Sequence, residues 1–313
     1  MNILLINPGR REYLVKYFLD LSTKYKSKIF IIDSNKFIPS FLVSKETRNF
    51  VSPKCRKKSN FQSFLRNFVK KNKIKIIFPL SEHELKILAT EKSFYDKLNV
   101  KIIVSDSKVI DICQNKIKTF NFLKKFKINT PNIYKLSNIK HHLPVIMKRV
   151  DGYSSRDQRI IDNKKLIPSK LDKKFFFQKY YNFQEYGMDI LNDLKGNFIH
   201  CTVRKKISIR AGDTDSAIII NPKKFIKLAH LISKNLRHNA NLDVDFLYNG
   251  KKFYILDFNP RFGGGYPFTH EFGFNYIEKI LSLISLKKQI YNLKHYKYKK
   301  NFFSKGISIY KHK

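Results

Sequence analysis

Leu242-Asp243-Val244-Asp245-Phe246-Leu247-Tyr248-Asn249-Gly250 runs through Lys251 into Ile255-Leu256-Asp257-Phe258-Asn259. Two alternating runs around Asn-Gly predict a β-hairpin. Side chains alternate faces along a strand, so Asp243 shares a face with Asp245, and Asp257 with Asn259. Loop parity decides whether those faces coincide. A loop of Asn249-Gly250 alone pairs Asp245 with Tyr254 and turns Asp257 away. A loop of Tyr248-Asn249-Gly250 pairs Leu247 with Lys251 and sends all four polar side chains one way. It also leaves Val244, Phe246, Tyr254, Leu256 and Phe258 on one apolar face, and is favoured for that reason.

Carboxylates crowded on one face repel unless a cation sits among them. Hard oxygen donors without Cys or His suit Mg²⁺, which takes one or two carboxylates and completes its shell with water and phosphate oxygens. An ordinary solvated acidic face is the alternative. Asn259-Pro260-Arg261-Phe262-Gly263-Gly264-Gly265 weighs against it. It sets a planar cationic fork beside the acids, and a glycine run that lets backbone approach a ligand closely.

Outward from the hairpin, short apolar runs at 3–6, 29–32, 74–78 and 101–104 alternate with helical patterns at 13–21, 61–71 and 85–98. That predicts an α/β region with a doubly wound parallel sheet. A helix over 111–125 stops near Thr130-Pro131. Strands then dominate, at 145–150, 175–178, 188–191, 197–203 and 217–220, interrupted by one long helix at 222–236 and followed by a last one at 275–285, an α+β texture. The turn Pro8-Gly9-Arg10 after the first strand is no complete dinucleotide fingerprint, which disfavours NAD. Arg10, Glu82 and Glu84 lie at or just past carboxyl ends of strands, where open α/β sheets place ligands.

The chain has 313 residues and a formal charge of +39. Such charge invites a nucleic-acid reading. The lysines are spread from 54 to 75 and again from 294 to 300, amid abundant Asn, Ile and Phe, so they read as compositional bias and solvated surface rather than a specific nucleic-acid groove. No apolar run approaches the ~20 residues of a membrane span, and a cytoplasmic protein is expected. Cys55, Cys113 and Cys201 are odd in number and far apart, which points to buried inert thiols.

The run from Ile255 to Arg261 with its glycines resembles the metal-binding signature of ATP-grasp ligases. The closest likeness is to stand-alone proteins similar to the large subunit of carbamoyl-phosphate synthetase. It spans nearly the whole chain, from Asn7-Pro8-Gly9-Arg10-Arg11 to Glu271-Phe272-Gly273-Phe274-Asn275. The resemblance implies a pre-ATP-grasp domain over 1–110, ATP-grasp subdomains over 111–180 and 181–290, and a basic tail over 291–313. It implies ATP held between the subdomains with Mg²⁺, or alternatively Mn²⁺. Lys116 and Lys148 resemble the phosphate-binding lysines, with Asn115 where the family usually has Asp. Asp151-Gly152-Tyr153-Ser154-Ser155-Arg156 resembles the loop over the phosphates, to which Ser154 and Ser155 would contribute. Gln178-Lys179-Tyr180 resembles the hinge that holds adenine, and Glu185 the ribose ligand. Asp245, Asp257 and Asn259 become metal ligands, with Asp243 a direct partner or a supporting acid. Arg261, with Lys148, would steady the transferring phosphoryl group, and Arg210 would bind a substrate carboxylate.

The reaction so implied joins a small-molecule carboxylate to an amine through an acyl phosphate, releasing ADP and phosphate. The substrates' identities and the oligomeric state stay open. The rival classes are a nucleotide-binding module without ligase turnover and a basic nucleic-acid-binding protein.

Overall fold

A computed structural model describes residues 1–152, 157–285 and 301–311. The first part is β1 (Asn2–Ile6), α1 (Glu12–Asp20), β2 (Lys28–Asp33), β3 (Arg48–Val51), α2 (Lys58–Lys71), β4 (Ile74–Pro79), α3 (Glu82–Lys97) and β5 (Lys101–Ile102). The strands form a parallel sheet in the order β3-β2-β1-β4-β5. Alternation along β1 shows why the sheet is doubly wound. Ile3 and Leu5 pack with Leu14 and Phe18 of α1, whereas Leu4 and Ile6 pack with Phe61 and Leu65 of α2 and Leu88 of α3. Each face needs its own helical cover, and the apolar β1 buries both.

The expected helix over 111–125 is two helices, α4 (Ser107–Cys113) and α5 (Lys116–Lys125). Asn115 breaks them apart: its Oδ1 accepts from the amides of Ile117 and Lys118, both at 3.0 Å, and so caps α5. Next come β6 (Ile133–Tyr134), β7 (Val145–Arg149), β8 (Arg159–Ile161) and β9 (Phe175–Lys179), an antiparallel sheet in the order β6-β9-β7-β8.

The remainder is β10 (Gln184–Asn192), β11 (Phe198–Arg210), β12 (Asp213–Ile220), α6 (Ile226–Leu236), β13 (Asn241–Tyr248), β14 (Phe253–Asn259), α7 (Tyr266–Glu271), α8 (Tyr276–Ile284) and β15 (Asn301–Ser304). Its antiparallel sheet runs β14-β13-β10-β11-β12-β15. The segment read as a basic tail therefore supplies an edge strand, paired to β12. Tyr266, Phe268, Tyr276 and Ile280 of α7 and α8 join the α1-side core of the parallel sheet, and this continuous apolar contact ties the first and last parts of the chain together. All three cysteines are buried and free. No helix among the described residues is long and apolar enough to cross a membrane.

Candidate active site

Strands β13 and β14 form the expected hairpin, and its acids do share a face. Asp243 lies opposite Asn259, and Asp245 opposite Asp257. The reason differs from the expected loop parity. Tyr248 pairs with Phe253, so the loop is Asn249-Gly250-Lys251-Lys252, and Leu247 faces Tyr254 rather than Lys251. That even parity alone would turn Asp257 away. A bulge at Leu256 restores it: Phe246 pairs with Ile255, and the next pair is Asp245 with Asp257. Ile255, Val244, Phe246 and Phe258 are buried, whereas Leu256, expected among them, lines the cleft.

This acidic face forms one wall of a cleft of about 1310 Å³. The wall is a chain of ion pairs. Arg204 on β11, fully buried, reaches Asp189 at 2.7 Å and Asp243 at 2.5 Å. Asp189 also accepts from Thr269 Oγ1 at 2.6 Å. Arg261 pairs with Glu82 at 2.7 Å and approaches Asp243 at 3.5 Å. Lys206, two residues beyond Arg204, holds Glu185 at 2.5 Å and Asp245 at 2.6 Å. Burial opposes the Lys206 charge, but Asp245 and Glu185 outweigh it and hold its proton more tightly than in a free lysine. Burial pushes Asp243 up to about 6 against the pull of Arg204.

The glycine run serves this network instead of approaching a ligand. A Cβ on Gly263 would meet Asp243 Oδ2 at 2.1 Å, one on Gly264 would meet Asp213 Oδ1 at 2.1 Å, and one on Gly265 would meet Arg204 Cζ at 2.1 Å. Only glycine lets the backbone lie flat against those charges.

The opposite wall is the four-stranded sheet. Lys148 on β7 is almost fully buried, and its ammonium donates to Gln178 Oε1 at 3.0 Å. Burial and the neighbouring Lys116 charge lower its pKa to about 8, against the attraction of Asp257, Glu185 and Asp245. Lys116, at the start of α5, pairs with Asp257. The adenine-hinge expectation fares differently. Gln178 spans Lys148 and the Pro131 carbonyl, to which its Nε2 donates at 3.1 Å, and Lys179 donates to the carbonyls of His142 and Leu143 at 3.0 and 3.3 Å. Among the described residues lining the cleft, neither these two nor Tyr180 is found, while Glu185 is. The donors of Gln178 and Lys179 are spent on main-chain carbonyls of the connections around this sheet.

The substrate expectations also divide. Arg10 is exposed at the cleft. Glu84 is fully buried and accepts from the amides of Leu80 and Ser81 and from Asn7 Nδ2, at 3.0, 2.8 and 2.9 Å. It closes a capping box at the start of α3 with Ser81, which is a structural duty that leaves it nothing for a substrate. Glu82 serves as the partner of Arg261. Arg210 lines the cleft but is engaged with Asp215 at 2.6 Å. Ser154 and Ser155 lie outside the described residues. The sequence reading missed Lys206 as a member of the site. Arg204 and Lys205 beside it are charged too, so no residue pattern singles it out.

The donor set fits a hard divalent cation. Asp245, Asp257 and Asn259 present only oxygens for it, and each carboxylate already holds an ammonium, from Lys206 and Lys116. No group of three or more His, Cys, Asp and Glu among the described residues forms a protein-only cage, so such a cation would complete its shell with substrate oxygens.

Residues 113–265 match the family model of the ATP-grasp domain, and residues 3–103 that of the PylC-like N-terminal domain. The chain belongs to the ATP-grasp superfamily. Its fold is similar to that of biotin carboxylase from Campylobacter jejuni (TM-score 0.73, 16% identity, 92% of this chain and 72% of that one). It is also similar to N5-carboxyaminoimidazole ribonucleotide synthetase from Thermotoga maritima (0.65, 17%, 91% and 75%). A third similar fold is L-amino acid ligase from Bacillus licheniformis (0.67, 15%, 90% and 74%). No curated protein sequence matches the chain. At these identities the solved structures establish the ATP-grasp fold, with the parallel-sheet domain followed by the antiparallel sheets.

Proposed function

We propose that this ATP-grasp protein is an ATP-dependent carboxylate–amine ligase that forms an acyl phosphate and releases ADP and phosphate. The observation that supports it most is the pairing of Asp245 with Asp257 across the hairpin, in one cleft with Lys116 and Lys148. The three solved folds named above carry the names of a carboxylase, a synthetase and a ligase.

A carboxylate is a poor electrophile at neutral pH, so it must be activated. Its oxygen attacks the γ-phosphorus of ATP, the bond to the β-phosphate oxygen breaks, and ADP leaves. An amine then attacks the acyl carbon, the C–N bond forms and the C–O bond to phosphate breaks. The departing phosphate takes the proton the nitrogen must lose. Bound Mg²⁺, or Mn²⁺, would neutralise phosphate charge at Asp245, Asp257 and Asn259. Lys116 and Lys148 would hold the phosphate oxygens, Glu185 the ribose hydroxyls, and Arg261 the transferring phosphoryl group. Lys148 suits this role because no carboxylate is paired with it and it lines the cleft. Catalysis is then positioning and charge neutralisation, with no protein nucleophile.

Asp257→Asn tests the reading. It keeps the shape and removes one charge from the face, leaving the buried Val244, Phe246 and Phe258 untouched. Turnover should fall by about 10²–10³-fold or more with the thermal unfolding midpoint little changed. Turnover near the native rate, or AMP in place of ADP as the stoichiometric product, would sink it.

A further inference from the structure

Asp213 and Lys305 both line the cleft, and among the described residues neither stands in an ion pair. Strand β15 pairs with β12, Ser304 opposite Ser216 and Phe303 opposite Ala217, and the following amide of Lys305 donates to the Asp215 carbonyl at 2.9 Å. The Lys305 backbone is thereby anchored at the cleft. Its side chain lines the cleft, with Nζ 5.6 Å from the centre of the Phe268 ring. Asp213 belongs to the same cleft, at the end of the turn through Ala211 and Gly212, which take φ of 50° and 79°. Its carboxylate rests against Gly264, which fixes its position.

Among the described residues no basic nitrogen lies within 4 Å of the Asp213 carboxylate, and no carboxylate oxygen within 4 Å of Lys305 Nζ, whereas Arg204, Arg261, Lys206 and Lys116 are all paired. The two charges feel one another, since Asp213 supports the Lys305 charge against burial, yet they do not close into a pair. Asp213 also stands within electrostatic reach of Arg261 and of Tyr13 on α1. An opposite-charged couple held apart beside the reacting centre matches a ligand that carries both charges close together.

We propose that Asp213 and Lys305 bind the amine substrate as a zwitterion, an α-amino acid, with its ammonium on Asp213 and its carboxylate on Lys305. This rests on the ligase reading and makes two residues specificity determinants of it. Asp213 is the member near Arg261, so the nitrogen is the end presented to the acyl phosphate; the ammonium first releases one proton to water, the freed amine attacks, and the departing phosphate takes the second proton. Lys305 takes the carboxylate duty for which Arg210, already engaged with Asp215, is not free.

The test is calorimetric binding of the standard α-amino acids, both enantiomers, and of their C-terminal amides, to the full chain with ADP and Mg²⁺. At least one free amino acid should bind, with its amide weaker by about tenfold or more, the worth of one charge-assisted contact. Lys305→Met should bring acid and amide to equal affinity, Lys305→Arg should restore the preference, and Asp213→Asn should weaken acid and amide alike. Binding by none of them, equal binding of acid and amide to the native protein, or a preference that survives Lys305→Met would overturn the assignment. Trapping with hydroxylamine reads the acyl phosphate separately, because hydroxamate formation needs no zwitterion. Its failure in the native protein counts against the ligase reading alone, whereas an unchanged thermal unfolding midpoint in Lys305→Met shows that the variant is folded.

Discussion

The two walls of the cleft each bury one lysine to the same depth and treat it in opposite ways. Lys206, on the six-stranded sheet, is 7% exposed, and Lys148, on the four-stranded sheet, is 8% exposed. Lys206 has two carboxylates and its pKa rises; Lys148 has an amide oxygen and a neighbouring cation, and its pKa falls to about 8. Equal burial with unequal partners isolates the partners as the cause. The six-stranded wall neutralises itself and is complete as it stands. The four-stranded wall leaves a cation whose natural complement is an anion from outside, such as a phosphate.

Removing a charge should therefore cost most in the self-neutralised wall. Arg204→Met leaves Asp189 and Asp243 buried without their shared partner. Unfolding in urea should show a loss of about 3–5 kcal/mol. Arg204→Lys should rescue little, because a single ammonium cannot fork to both carboxylates. A loss in the ordinary surface range would mean that the network relaxes around the change, and the contrast between the walls would break.

Next in size is the comparison of Lys206→Met with Lys148→Met. Both should lose turnover, but only the first should lose stability, by about 1–3 kcal/mol for the carboxylates left unpaired. Lys148→Met should cost no stability at neutral pH, where burying the charge is itself unfavourable, and should weaken ATP binding by about tenfold or more, read by calorimetry. Equal destabilisation by the two variants would show that Lys148 also has a structural partner.

The Lys148 shift carries a pH signature. Its charged form is disfavoured in the folded protein, so below about pH 8 the fold bears a cost that the unfolded chain does not. Between about 8 and the ordinary 10.5 the folded state has released the proton while the unfolded state retains it, so this contribution to stability rises with pH. Lys148→Met lacks that contribution. The stability of the variant relative to the native protein should therefore decline by up to roughly 2–3 kcal/mol across that window. ATP affinity should fall over the same window, because phosphates need the ammonium. A flat stability difference would contradict the depressed pKa.

How much of this was legible in the sequence varied by region. The parallel sheet was readable because strands buried on both faces appear as continuous apolar runs such as Ile3 to Ile6. The shared face of Asp245 and Asp257 was readable from alternation and the need for one apolar side. Its cause was not, because a bulge at Leu256 has no residue signature and reverses whatever parity the loop sets. Lys206 and Lys305 were hidden by composition: with 63 basic residues, a lysine carries no information until burial and partners single it out. The duty of Glu84 was legible in principle. Ser81 three positions before it is a capping pattern, and a capping acid is occupied.

The smallest effect is expected at Lys179, and it separates a likeness in sequence from a contact in space. By its place after Gln178 this lysine matches a nucleotide hinge. In the structure its ammonium donates to the carbonyls of His142 and Leu143, in the connection leading into β7. Those carbonyls precede β7, so the lysine staples a loop to its own sheet and spends its donors there. Lys179→Met keeps the aliphatic stem and removes the donors. Stability should drop by about 0.5–1.5 kcal/mol, the worth of an ordinary hydrogen bond, and the KM for ATP should move by less than about twofold, since no contact worth a measurable share of binding is lost. A tenfold rise in KM at unchanged stability would mean that the ammonium leaves its carbonyls for the nucleotide, and would restore the hinge role that the sequence implied.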